Sequence, residues 1–164
     1  MFRGEKRISG ENEVDIYDSL KIAMMPPELR EDRGEIEAAL NGTLPKLIEL
    51  SDLRGDLHAH STYSDGKSTI EQMVERAGQL RYEYIALSDH SPSERIAHGL
   101  DRARLEKKIE EIEALRRKRK DRLPHILIGS EVDVLSNGKL DYPDEVLSML
   151  HVVMSMSSPI PLAA

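Results

Sequence analysis

Between residues 53 and 134, an apolar run short enough for a strand three times ends in histidines or carboxylates and gives way to a helical pattern. The first run, Leu53 to His58, leads through "DLHAHSTYSDG" (residues 56–66) into "STIEQMVERAGQL". There Ser68 and Glu71 have the spacing of a capping box, and Ile70, Met73, Val74, Ala77 and Leu80 recur at helical intervals. The second run, "YEYIALS", ends in Asp89 and His90; a loop and a long helix from Asp101 follow, with Leu105, Ile109, Ile112 and Leu115 on one face. The third, "HILIGS", runs into Glu131 with Asp133 just beyond. A short helix with Pro143 in its first turn comes next, and a fourth run, "HVVMS", begins at His151. This alternation predicts an α/β fold with parallel strands and right-handed crossovers, as a (β/α) barrel or an open doubly wound sheet. Residues 1–50 follow a different rhythm. They read as a small helical segment, with Val14, Tyr17 and Leu20 near helical spacing, a break at "MPPELRE", and a short amphipathic stretch closed by Asn41-Gly42.

In parallel α/β folds, catalytic and binding groups gather outside the carboxyl ends of the strands, because the loops there converge on one face. The chain places His58, His60 and Asp65 at the first such end, Asp89 and His90 at the second and Glu131 at the third. Strand side chains alternate with period two, so a His-x-His pair points both rings to the same side. The chain has no cysteine, which leaves imidazole and carboxylate as the donors for any metal; these suit Zn, Mn or Fe. A bridging carboxylate such as Glu131 can hold two cations about 3.5–4 Å apart, an arrangement used for phosphoester hydrolysis. Asp89 is expected to orient a histidine from behind, or else to cap the segment that follows. His98, His125 and His151 lie away from strand ends and are expected to be structural.

Composition removes other classes. At 164 residues, with 39% apolar and 32% charged residues, the chain has the make-up of a globular domain and not of a disordered tract. No window reaches the roughly 18 apolar residues of a membrane span, and "MFRGEKRISG" has no signal-peptide core, so a cytoplasmic location is expected. The net charge of −7 opposes broad nucleic-acid binding. The exception, "RRKRK" at Arg116–Lys120, stands where a helix should end and cations offset its dipole.

"DLHAHSTYSDG", "YIALSDHS" and "IGSEVDV" resemble the first three motifs of the PHP (polymerase and histidinol phosphatase) domain, in particular the one at the C-terminus of bacterial and archaeal family X DNA polymerases. The stretch from "ISGENEVDIYDSL" to "PKLIELSDLRGDLHAH" resembles the end of the polymerase thumb and its linker. The resemblance implies a partial (β/α) barrel like the first half of the distorted (β/α)7 PHP barrel, over residues 51–158, with the thumb end and linker over 1–50. It implies Mn or Zn cofactors, with His58, His60, Asp65, His90 and Glu131 as ligands, His58, His60 and Glu131 as the catalytic members and Asp89 beside them. The implied activity is a 3′-5′ exonuclease or phosphodiesterase acting on DNA 3′ ends in repair.

Departures from the family accompany this. Where the family has a histidine after the fourth strand, the chain has Ser157 in "VVMSMSSPIPLAA". Residues 159–164 keep neither the family pattern nor any strand-helix rhythm, and no palm carboxylates precede the thumb-like part. The expectation is a domain truncated at both ends, without polymerase activity and with impaired hydrolysis, open sheet edges inviting self-association. A small-molecule phosphomonoesterase like histidinol phosphatase, and an inactive fragment or interaction module, are the alternative readings.

Overall fold

The computed structural model describes residues 2–120, 122 and 124–157. The tail expected at 159–164 and the side chain of Ser157 lie outside the described residues. The chain divides into two compact units, Met1–Glu49 and Leu50–Ala164.

The first unit holds more than the expected helices. A two-stranded antiparallel hairpin, β1 (Phe2–Arg3) and β2 (Lys6–Arg7), precedes α1 (Glu13–Leu20) and α2 (Glu35–Asn41). Runs of two residues carry no readable alternation, which is why the hairpin escapes a pattern search. Asn12 caps α1 in a capping box with Asp15, and Gly42, in the left-handed region at φ 68°, ends α2. Ala39 is the fully buried apolar residue among those described in this unit.

The second unit is a curled, four-stranded, all-parallel half-barrel in the order β3 (Gly55–Ala59), β4 (Tyr84–Leu87), β5 (His125–Val134), β6 (Val152–Ser157). The crossovers are α3 (Ile70–Gln79), α4 (Arg102–Arg119) and the short α5 (Asp144–Leu147). Side-chain alternation along β5 turns Ile126 and Ile128 toward the helices, where they join Ile85 and Leu87 of β4, Val74 of α3 and Ile112 of α4 in one apolar cluster. A second cluster, Leu100, Leu105, Val132, Tyr142 and Val146, continues it beneath the carboxyl ends of the strands. Among the described residues, no helix is long and apolar enough to cross a membrane.

Three expectations shift by a few residues. The cap of α3 is Thr69, which accepts from the Gln72 backbone while the Gln72 side chain returns the bond; the box is one residue later than Ser68 and Glu71. Ser68 is spoken for, because its carbonyl accepts from Thr62 N at 3.0 Å and ties the helix entry to the preceding turn. The third strand does not stop before Glu131. It runs to Val134, because β6 supplies partners for each residue from Gly129 to Val134. The first strand starts at Gly55, so Leu53 lies outside it, and β3 slips register against β4 between Asp56 and Ala59.

Inside the apolar layer sits a buried ion pair. Lys108 of α4 is completely buried, and its ammonium meets three acceptors: Leu87 O at 2.7 Å, Gly129 O at 3.1 Å and Asp89 Oδ2 at 2.8 Å. A lysine has three N–H donors, so none is left over. Burial pushes the Lys108 ammonium below its ordinary range, with Asp89 opposing. Burial also pushes the Asp89 carboxyl up, but Lys108 and the hydrogen bonds from Ser64 and Ser61 outweigh that and hold it below its ordinary value.

Two stability measurements test this layout. Thr69→Ala is expected to cost about 1 kcal/mol in urea unfolding, and Ser68→Ala, whose carbonyl and not its hydroxyl does the work, a few tenths at most. Lys108→Met leaves a buried carboxylate unpaired and should cost about 3–5 kcal/mol, while Asp89→Asn with Lys108→Met should cost less than Lys108→Met alone. A double variant as unstable as the sum of its singles would show that the two groups do not act as a pair.

Candidate metal centre

The register slip in β3 falls at His58. A one-residue bulge leaves a backbone N–H without a ladder partner, and here the Asp56 carboxylate accepts from His58 N at 2.8 Å. The His58 and His60 rings then lie on one side, 5.1 Å apart at their centroids. The chain after His60 turns tightly. Ser64 N and Gly66 N both donate to Ser61 O, and a Cβ at residue 66 would stand 2.0 Å from His60 O. Only glycine allows the backbone to close that turn and bring Asp65 back over His60.

Glu131 is the centre of convergence. Its Oε2 lies 2.8 Å from His58 Nε2, 3.0 Å from His60 Nε2 and 3.5 Å from His90 Nδ1. On the other side of His60, Nδ1 stands 2.8 Å from Asp65 Oδ1, and Asp65 Oδ2 is 3.6 Å from His90 Nε2. The His60 and His90 rings meet edge to face at 4.4 Å. Glu131 is rigidly placed, since its N–H donates to both Ser88 O and Asp89 O and it bridges to His90 across the strands. Burial raises the Asp65 carboxyl, while the hydrogen bond and charge of His60 and the charge of His90 bring it to a net value below its ordinary range.

Two groups of three donors come close enough to hold a cation: His58, His60 and Glu131, or His60, Asp65 and His90. They share His60. Its Nε2 is buried, 3.0 Å from a carboxylate oxygen, yet makes no hydrogen bond of acceptable geometry. A buried ring nitrogen turned toward a carboxylate without a hydrogen bond between them fits a pair of metal ligands, and the oxygen and nitrogen donor set fits Mn, Zn or Fe. Thus His58, His60, Asp65, His90 and Glu131, which the sequence places on three separate stretches, meet in one cluster. His98 is exposed on the loop after β4, and His151 Nδ1 accepts from Ile128 N; neither belongs to these groups.

Asp89 plays a different part from the one expected. Among the described residues its carboxylate bonds to no histidine. Oδ1 accepts from Ser61 N, Ser61 Oγ and Ser64 Oγ, and Oδ2 from Ser61 Oγ and Lys108. Its position at the base of the His60–Asp65 turn leaves a histidine ring out of reach while four donors surround it. The sequence reading also passed over Lys108. Its signal was present: Leu105, Lys108, Ile112 and Leu115 follow i, i+3, i+7, i+10, so this lysine stands on the apolar stripe and not on the wet face.

Residues 56–157 match the family model of the PHP domain. Over 144 residues, 88% of its length, the chain is 38% identical to the DNA polymerase/3'-5' exonuclease PolX of Bacillus subtilis (strain 168), of which this covers 25%. Over 35 residues, 21% of its length, it is 51% identical to the phosphoribosyl 1,2-cyclic phosphate 1,2-diphosphodiesterase of Eggerthella lenta, of which this covers 13%. The chain therefore spans a quarter or less of the length of these relatives. The matched stretch takes in more than half of the chain and all of the strand ends that carry the converging side chains, and the chain belongs to the PHP domain family.

Proposed function

We propose that this chain is a metal-dependent phosphodiesterase unit that removes nucleotides from DNA 3′ ends, with Mn or Zn as its cofactor. The observation that carries the reading is the meeting of three imidazole nitrogens within 3.5 Å of one buried carboxylate oxygen, Glu131 Oε2. Similarity to a polymerase with 3'-5' exonuclease in its name, over 88% of the chain, supports DNA as the substrate class. The cyclic phosphate diphosphodiesterase supports the narrower point that phosphodiester bonds are the chemistry.

The roles follow from position. His58, His60 and Glu131 would hold a cation, with Asp65 and His90 as further donors on the other side of His60, and His58, His60 and Glu131 are the members on which catalysis would depend most. Divalent cations in such sites lower the pKa of a bound water and neutralise charge on phosphoryl oxygens. Glu131, with only 5% of its side chain exposed, fixes the floor of the site. His58 and Asp65 keep 37% and 48% of their side chains in solvent and form the rim that a phosphodiester would meet first. Asp89 and Lys108 stay below the floor and touch neither substrate nor cation.

A small phosphoester is the second reading, favoured by the 51% identity over 35 residues to the cyclic phosphate enzyme. The two separate in one set of assays. Metal-stripped chain titrated with Mn in a calorimeter should show saturable binding that His58→Ala abolishes. With Mn added, 5′-labelled single-stranded DNA should shorten stepwise from its 3′ end, and His58→Ala or Glu131→Gln should slow this by about 100-fold or more, the effect of losing several kcal/mol of charge stabilisation. Hydrolysis of small phosphoesters with DNA left intact would replace the first reading by the second. Saturable Mn binding with neither hydrolysis would leave a metal-stabilised module without catalysis.

A further inference from the structure

Helix α4 carries three polar side chains at positions 104, 108 and 111, the i, i+4, i+7 spacing that lines up on one face. All three end on the turn that brings Asp65 back over His60 or on its support. Arg104 donates through Nη2 to Tyr63 O, and through Nη1 to His98 O at 2.7 Å and Gly99 O at 3.0 Å. Lys108 holds Asp89, which in turn accepts from Ser61 N, Ser61 Oγ and Ser64 Oγ. Glu111 accepts from the Tyr63 hydroxyl at 2.8 Å. The turn thus receives a grip at Ser61, Tyr63 and Ser64, between the two donors His60 and Asp65 that it must place.

A crossover helix in an α/β fold needs only an apolar stripe to do its packing. Here Leu105, Ile112 and Leu115 supply that stripe, and the polar ends of Arg104, Lys108 and Glu111 are directed at the turn and its support. We propose that Arg104, Lys108 and Glu111 are positioning residues for the metal centre, which set the separation of the His60 ring and the Asp65 carboxylate through the Ser61–Ser64 turn. The inference rests on the metal-binding reading above and deepens it. Groups that orient metal ligands from behind commonly change affinity by about 10- to 100-fold when removed. Arg104 and Tyr63 are the useful handles, because each is only part-buried and its loss leaves no unpaired buried charge.

The test is a Co2+ titration of metal-stripped full chain followed by the visible d–d absorption of the ion, which reports ligand geometry, in wild type and in Arg104→Met, Tyr63→Phe and Ile112→Val. Ile112→Val trims the neighbouring apolar stripe and is the control for a purely structural effect. Arg104→Met is expected to raise the Co2+ Kd about 10-fold or more and to alter the band shape, and Tyr63→Phe to do so to a smaller extent. Ile112→Val should lower stability with Kd and spectrum unchanged. Wild-type affinity and spectrum in both Arg104→Met and Tyr63→Phe would overturn the inference while leaving the metal centre standing. Equal changes in Ile112→Val would also overturn it, by showing that loosened packing alone moves the ligands. Absence of Co2+ binding in the wild type would remove the metal-centre reading and this inference together. Should Arg104→Met not fold, Tyr63→Phe against Ile112→Val decides.

Discussion

The ammonium of Lys108 is the point on which the arrangement above the sheet depends. Taking a lysine out of water is costly, and an ion pair in a low-dielectric interior repays that only when every donor is met. Leu87 O, Gly129 O and Asp89 Oδ2 meet all three. Two of these acceptors are backbone carbonyls on neighbouring strands, so the lysine also fixes β4 against β5 just before each delivers its functional residue, His90 or Glu131. A leucine or methionine at 108 could fill the same volume without the desolvation cost. What it could not do is hold Asp89 ionised and directed upward, and without that carboxylate the amide and hydroxyls of the Ser61–Ser64 turn lose their common acceptor. The buried pair is best understood as a specifier of one turn conformation, with its net contribution to stability secondary.

How much of this is legible in the amino-acid order depends on the range of the interaction. The parallel α/β architecture is legible because a period of two switching to 3.6 is a local signal, repeated three times. The converging set His58, His60, Asp65, His90 and Glu131 is legible because parallel topology dictates which end of each strand shares a face. Asp89 shows the limit. Its neighbours in sequence, Ser88 and His90, suggest a partner for a histidine, whereas its actual partners come from residues 61, 64 and 108. Lys108 was marked by its place on the apolar stripe, yet long cationic side chains often lie along such stripes with their heads in water, so the pattern does not announce a buried ammonium. Thr69 against Ser68 is a choice between equivalent hydroxyls, decided by the bond from Thr62 N to Ser68 O. The bulge in β3 leaves no trace in composition at all, although Asp56, placed to accept from His58 N, is its consequence.

The division of labour between core and site bears on how the centre responds to its cations. In small zinc-folded modules the ligands are the core, and the apo chain is unfolded. Here both apolar clusters close without any of the five donors. Ile85, Leu87, Ile126 and Ile128 face the helices, and Glu131 lies on the same strand with its side chain to the other side. The strand ends are therefore held where they are by the sheet and by the Lys108 network. At Glu131 three imidazole nitrogens gather round one oxygen, and His60 Nε2 finds no hydrogen bond of acceptable geometry. The turn gripped by α4 holds the other His60 nitrogen against Asp65, and so keeps Nε2 directed at Glu131 Oε2.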